Sequence, residues 1–254
     1  MTATTATTPY IKFLNNKTYA ASNGYNLSLK MATIGDFLNK DGSFTATKQT
    51  SGANESYAVI AYVGSVANYF SRFLALALTD SNDGTCNWST ALTAVGDYAA
   101  AHPVTIGSTT YNTSTTGDTC YDQVANDQSA SSATATAIQT GWRLPSVTDW
   151  RYVFDGLGRI KGGLNLSDGT NARLPTSPLG VSDGMVYRDG NNGNTLRDAI
   201  NTACGNTALR SSSYWFSSEC TGESNRAWYY SFYQGKFCWY YKTNSMYVRA
   251  VFAY

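Results

Sequence analysis

The sequence predicts an α+β domain with a short, polar, β-leaning extension at its N-terminus, and three observations carry that prediction. Two apolar runs, Tyr57–Gly64 and Arg72–Leu78, have the length and composition of buried strands. Three later segments carry helical spacing with capping residues at their starts. The chain then ends in aromatic-rich alternating stretches around a Gln234-Gly235 turn, the pattern of a hairpin.

Residues 1–50 form the extension. Tyr10–Phe13 leans to strand and Tyr25–Met31 alternates strictly, punctuated by Asn-Gly and Asp-Gly turns, as an arm or an oligomerisation strand would. A homo-oligomer is therefore among the expected assemblies. The main domain runs over 51–254. In its first predicted helix Trp88, Leu92, Val95 and Ala99 recur at helical spacing, Asn87 caps the start and His102 stands at the end. Residues 103–140 are rich in Thr, Ser and Ala, with weak helical tendency over Cys120–Ala125 and Ala130–Ile138. Pro145 stops a strand, and Ser146 to Asp149 reads as a capping box for a helix whose apolar face is Trp150, Val153, Phe154 and Leu157 and whose end is Gly158. Repeated Gly, Asp-Gly and Asn-Gly signals over 161–193 predict a long loop or short hairpins. Thr195 to Asp198 reads as a second capping box, with Leu196, Ile200 and Ala203 facing inward and Gly205 closing the helix.

The tail, 208–254, holds eight of the nineteen tyrosines and three of the six tryptophans. At strand period Trp228, Tyr230 and Phe232 share one face and Tyr229, Ser231 and Tyr233 the other, with Phe237–Tyr241 returning as the partner strand. Such a pair is either buried on both sides or buried on one and presented on the other. Antiparallel sheets usually bury one face, which favours presentation: Tyr, Trp, Ser and Asn give rigid, amphipathic contact area at low entropy cost. Trp142, Trp215 and Trp228 are expected in the core.

Composition excludes several function classes. The net charge is +1 and no basic run or stripe exists to release counterions, so nucleic acid is not an expected partner. Charged residues make up only 14%, which suits an outward-facing Ser/Thr/Asn/Gly-rich β protein better than a cytosolic enzyme. Five cysteines without C-x-x-C spacing and a single histidine offer no zinc ligand set, and no cofactor or metal is expected. Two disulfides plus one thiol remain open, with pairing undetermined. His102, alone before Pro103, reads as a capping or surface residue. Asp149 reads as a cap, Asp80 and Asp83 as members of a polar turn, and Arg143 and Arg249 as structural arginines with Glu219 as a candidate partner. No window of eighteen apolar residues occurs, and MTATTATTPY has neither a basic nor an apolar leader region, so neither a membrane span nor a signal peptide is expected.

Three pieces in order, Gly141-Trp-Arg-Leu-Pro-Ser146 with Trp150, Tyr214-Trp-Phe-Ser-Ser-Glu219 and Tyr247-Val-Arg-Ala-Val251, resemble the C-type lectin-like fold, in particular the bacterial and phage branch that includes formylglycine-generating enzymes. Gly35-Asp-Phe with Asp41-Gly42, Ala58–Gly64 and Asn87-Trp88 resemble the N-terminal half of the same family, so the likeness spans roughly 33–254. The placement of the aromatic tail resembles the variable proteins of diversity-generating retroelements, the phage tropism determinants among them. In that family adenine-directed mutagenesis of Asn-type codons diversifies exposed positions on the last strands.

What the resemblance implies is a hypervariable ligand-binding surface made of Ser213, Phe216, Cys220, Thr221, Ser224, Asn225, Arg226, Tyr229, Ser231, Tyr233, Cys238, Trp239, Tyr240, Tyr241, Thr243 and Asn244. Nearly all of these types are reachable from AAC. Trp239, like Lys236 and Met246, is not, and Phe216 stands where the family often has Ser. The implied partner is a protein or glycan on a cell surface, and the implied location is outward-facing, on a phage virion or a bacterial surface. Neither Glu-Pro-Asn nor Gln-Pro-Asp occurs, so the calcium-bridged sugar site of the lectins is not implied. Two alternatives are an enzyme of the formylglycine-generating type, for which Cys220 and Cys238 are the candidate pair, and a structural surface or adhesin subunit without a diversified site.

Overall fold

The computed structural model describes residues 31–52, 54–65, 70–114, 123–124, 131–132, 140–158, 193–206, 209–220 and 223–254. The Tyr10–Phe13 and Tyr25–Lys30 stretches and the 161–192 loop lie outside the described residues.

The chain is a mixed α+β domain built on two sheets. In order the elements are β1 (Phe37–Asn39), β2 (Phe44–Thr45), β3 (Ser56–Val63), β4 (Phe73–Ala77), α1 (Trp88–Ala101), β5 (Val104–Ile106), β6 (Thr109–Tyr111), β7 (Gln123–Val124), β8 (Ser131–Ser132), β9 (Gly141–Arg143), α2 (Val147–Val153) continued by a π-helical turn (Phe154–Gly158), α3 (Asn194–Cys204), β10 (Ser213–Cys220), β11 (Glu223–Ser231), β12 (Lys236–Tyr241) and β13 (Val251–Ala253). The first sheet runs β2-β1-β3-β4-β13-β9 and the second β12-β11-β10-β7-β8, while β5 and β6 form a separate hairpin. The last strand is thus inserted between β4 and β9, antiparallel to both.

The near-continuous apolar runs of β3 and β4 follow from their position, because the first sheet is covered on both faces. Val59, Leu74, Leu76 and Val251 face one cluster with Trp150, Phe154, Leu196, Ile200, Tyr214, Trp228, Tyr230 and Phe232. Ala58, Ile60, Ala75 and Phe252 face the other, with Val95, Tyr98, Trp142 and Trp215. Trp142, Trp215 and Trp228 are fully buried, as expected from sequence. Full burial of such side chains contributes about 1.5–3 kcal/mol each, and more for the largest.

Two of the three predicted N-caps form. Asn87 caps α1, its side chain accepting from Thr90 N. His102 sits at the C-cap, its ring stacked on Tyr98 with centroids 4.0 Å apart. The Ser146–Asp149 capping box is present in both directions. Asp149 does more than cap, however, for it also holds Arg143 through Nη2–Oδ1 (2.6 Å) and Nε–Oδ2 (3.1 Å), with both side chains buried.

Four expectations are corrected. Thr195–Asp198 does not form a capping box: α3 starts two residues earlier than that box would place it, behind Gly193, without a side-chain cap. Gly193 N–H donates to Phe232 O at 2.8 Å, and a Cβ at Gly193 would stand 2.7 Å from that oxygen, so contact with the terminal hairpin sets the start. Gln123–Val124 is not helical but pairs in parallel with Glu219–Cys220, and Ser131–Ser132 pairs with it in turn; tertiary pairing overrides a weak local tendency there. Arg249 and Arg143 take Asp80 and Asp149, not Glu219, which pairs with Lys242. Asp80 is accordingly an ion-pair member and not only a turn residue. Cys86, Cys204, Cys220 and Cys238 form no disulfide, and Cys120 lies outside the described residues.

Candidate functional site: the exposed end of the terminal hairpin

β10, β11 and β12 form an antiparallel meander in which Trp215 pairs with Tyr229 and Tyr229 with Cys238, while Tyr214 pairs with Tyr230 and Tyr230 with Phe237. Alternation therefore sends Tyr214, Trp228, Tyr230 and Phe237 into the cluster under α2 and α3, where all four, with Phe232, are fully buried. Trp215 and Tyr229 leave the opposite face and pack edge-on, centroids 6.2 Å apart, in the cluster under α1. Both faces of the central part of the hairpin are thus covered.

Cover is lost at the two ends. Among the described residues the exposed large apolar side chains are Met31, Tyr233, Tyr240 and Tyr241, so three of the four belong to this hairpin. Tyr233, 70% exposed, lies in the turn between β11 and β12, and Tyr240 (46%) and Tyr241 (42%) stand at the far end of β12. Six strand residues separate the two ends, about 20 Å.

The far end is the more elaborate. Arg226, opposite Tyr241 in the register, lays its guanidinium over the rings of Trp239 (4.2 Å) and Tyr241 (4.7 Å) and donates to the Tyr241 hydroxyl at 3.0 Å. That bond, with the nearby Glu223 carboxylate 3.7 Å away, raises the Arg226 pKa above its ordinary value. The Tyr240 and Tyr241 rings are 5.7 Å apart. Ser224, Asn225 and Thr243 are exposed around them, and Asn244 is half-buried with its amide bonded to Tyr241 O.

This end is braced from below. Lys242 Nζ contacts Glu219 Oε1, donates to Ser224 O at 2.8 Å and lies 4.3 Å from the Trp88 ring centroid. Lys242 O in turn accepts from Trp88 N (3.0 Å), Lys242 N donates to Asn225 O (2.9 Å), and the Trp88 indole donates to Phe216 O (2.6 Å). A lysine in the strand-end turn thereby ties β10, the start of β11 and the start of α1 together. The tail residues predicted from sequence to bind did not include Lys242, Glu219 or Trp88. Trp88 was legible only as a helix-face residue, and the Lys–Glu partnership spans 23 positions, beyond any local pattern.

Of the sixteen predicted site residues, Ser224, Asn225, Arg226, Trp239, Tyr240, Tyr241, Thr243 and Asn244 gather at this end. Tyr233 is exposed at the other end, Ser213 and Tyr229 are half-buried between, and Thr221 lies outside the described residues. Phe216, Cys220, Ser231 and Cys238 are corrected: they are 0%, 3%, 4% and 7% exposed and present no contact surface. Phe216 is held inward by the cluster around Trp150 and Phe237. Ser231 turns its hydroxyl to Gln234 N, closing the hairpin turn. The expected single patch of Tyr229, Ser231, Tyr233, Cys238, Tyr240 and Tyr241 is therefore two separate exposed ends. In the strand register Cys220 pairs with Glu223 and Cys238 with Tyr229, not with one another.

No group of three metal-ligating side chains gathers among the described residues, and no helix there is long and apolar enough to cross a membrane. No protein-family model and no curated protein matches the chain.

Proposed function

We propose that the protein is a recognition module, with a C-type lectin-like scaffold that displays the far end of its terminal hairpin to a protein or glycan on a cell surface. The observation that carries this reading is the concentration of exposed aromatic side chains at the hairpin ends while the same strands are buried on both faces between them. Tyr240, Tyr241, Trp239 and Arg226 are the residue types that anchor interfaces, and they sit beside Ser224, Asn225 and Thr243, which supply adaptable hydrogen bonding. The insertion of the last strand into the first sheet and the burial of the W-R-L-P and V-R-A-V segments and of Trp215–Ser218 support the lectin-like reading.

On that reading the surface is diversified by a retroelement, and the protein faces outward from a phage particle or a bacterial cell. Fixed residues, Lys242 and Glu219 among them, hold the frame on which Ser224, Asn225, Arg226, Tyr233, Tyr240, Tyr241, Thr243 and Asn244 vary.

The test pairs a thermal melt with adsorption of labelled protein to a panel of bacterial cells. A Tyr240→Ala/Tyr241→Ala variant is expected to melt as the parent does, since exposed substitutions usually stay within about 0.5 kcal/mol, and to lose adsorption, since central tyrosines commonly carry about 2 kcal/mol or more each. A folded variant that still adsorbs would place recognition elsewhere. A variant that unfolds would make these tyrosines structural.

A further inference from the structure

At the other end of the second sheet, before β10 begins, a groove of about 420 Å³ runs between α3 and the segment 209–211. Its walls include Arg197, Asp198, Thr202, Asn206, Arg210 and Ser211. The floor is fixed by Asn201, whose side-chain amide exchanges two hydrogen bonds with Leu209, donating to its carbonyl (3.0 Å) and accepting from its N–H (2.9 Å). Ser211 is tied back to Asn194 by a 2.8 Å bond. The walls are held before any ligand arrives.

The charges do not cancel. Arg197 gives Nε and Nη2 to Asp198 Oδ1 (2.8 and 2.7 Å) and Nη1 to Asn194. Arg210 is different. Its nearest carboxylate among the described residues is Asp80, 3.7 Å away, whose Oδ1 is already held by Arg249 at 2.9 and 2.8 Å. The Arg210 side chain is 57% exposed and stacked on Tyr247, and its two terminal nitrogens bond to none of the described residues. Among the described residues two arginines stand against one carboxylate in the walls, which leaves one surplus positive charge there, carried by the side chain with unspent donors. Asp198 Oδ2 takes no hydrogen bond from the described residues, so the groove also offers a strong acceptor, which repels a second negative charge and welcomes a hydroxyl. Thr202 and Ser211 spend their hydroxyl protons on Asp198 O and Asn194 Oδ1 and keep lone pairs to accept with.

We propose that this groove binds a monoanionic, hydroxyl-bearing sugar, a hexuronate unit, with its carboxylate on Arg210 and its hydroxyls on Asp198, Thr202 and Ser211. Guanidinium pairs with carboxylate through strong charge-assisted bonds, and the volume is in the range of small-ligand sites. The site is separate from the far end of the hairpin, so it stands or falls independently of the recognition surface there.

The test is titration of the whole chain with sodium glucuronate, followed by the amide resonances of Thr202, Asn206 and Ser211, with glucose, inorganic phosphate and an Asp/Glu-rich peptide as controls. Expected are saturable shifts in the millimolar range that weaken as salt rises. Glucose and phosphate should bind at least about tenfold more weakly, the loss that follows from one missing charge-assisted contact or one mismatched charge. Arg210→Ala should lose about tenfold, Arg210→Lys should keep part of the binding, and Tyr240→Ala/Tyr241→Ala should bind glucuronate as the parent does. No saturable shift, equal binding of glucose, phosphate bound as tightly as glucuronate, tighter binding of the peptide, or an Arg210→Ala protein that binds like the parent would each overturn the proposal. Should Arg210→Ala fail to fold, the parent's ranking of the four probes and the Arg210→Lys titration decide the matter.

Discussion

Asp149 answers three donors at once, the N–H of Ser146 and the Nε and Nη2 of Arg143, without exposure to water. Removing it takes from the buried Arg143 guanidinium the carboxylate that holds it and from the α2 capping box its reciprocal bond to Ser146 N. Asp149→Ala is therefore expected to cost about 3–5 kcal/mol, read as a large drop in melting temperature; a drop within the error of the melt would mean that the arginine finds water or another partner. Cys204 is the corresponding case for a neutral group. Complete burial pushes its thiol pKa from 9.0 up to about 11. The raised value means that the unfolded chain releases the proton first, so this contribution is whole below about pH 9 and is lost as pH rises through about 11, amounting to about 2–3 kcal/mol. Stability measured across that window should fall less steeply in Cys204→Ala than in the parent, and equal slopes would contradict the assignment. At this scale the sequence was readable where partners are near: Ser146 and Asp149 are three residues apart. It was opaque where they are far, since Arg249 and Asp80 are separated by 169 positions and Glu219 offered itself as a nearer partner.

Elements were legible when their periodicity matched one buried face and less so when neighbours set their limits. β11 shows the difference. Its Trp228/Tyr230 face is core, as the periodicity predicts, but its other face, for which presentation is favoured over burial on both sides, is covered in the middle by Trp215 and the cluster under α1. Nothing local in the sequence says that α1 packs there. The same packing creates the Lys242 brace, which joins three elements through one ammonium group. Lys242→Met keeps most of the side chain's length and removes its charge, so the global melt should shift by about 1 kcal/mol, the upper end for an ion pair that still meets solvent, as this one does with each side chain 20% exposed. The amides held by the brace, those of Trp88, Lys242 and Asn244, should exchange with solvent at least several-fold faster, while those of Trp215 and Tyr247 stay protected. Unchanged exchange at the first three would show that the backbone holds the hairpin end without the lysine.

In the whole molecule, the last strand completes the first sheet while the three strands before the final turn supply the exposed ends, so one continuous tail both closes a sheet and carries exposed aromatic side chains. That explains why the tail is dense in aromatics without being uniformly variable in role: Trp228, Tyr230, Phe232 and Phe252 are structural, and Tyr233, Tyr240 and Tyr241 are spare. The central claim is that the spare positions diversify on a fixed frame, and sequencing the tail across natural copies of the gene tests it most directly. Substitutions are expected to concentrate at Ser224, Asn225, Arg226, Tyr233, Tyr240, Tyr241, Thr243 and Asn244, at adenines of the coding strand, and to spare Trp215, Glu219, Trp228, Lys242 and Arg249. Substitutions spread evenly along the tail, or falling as often on the buried tryptophans as on the exposed tyrosines, would contradict it.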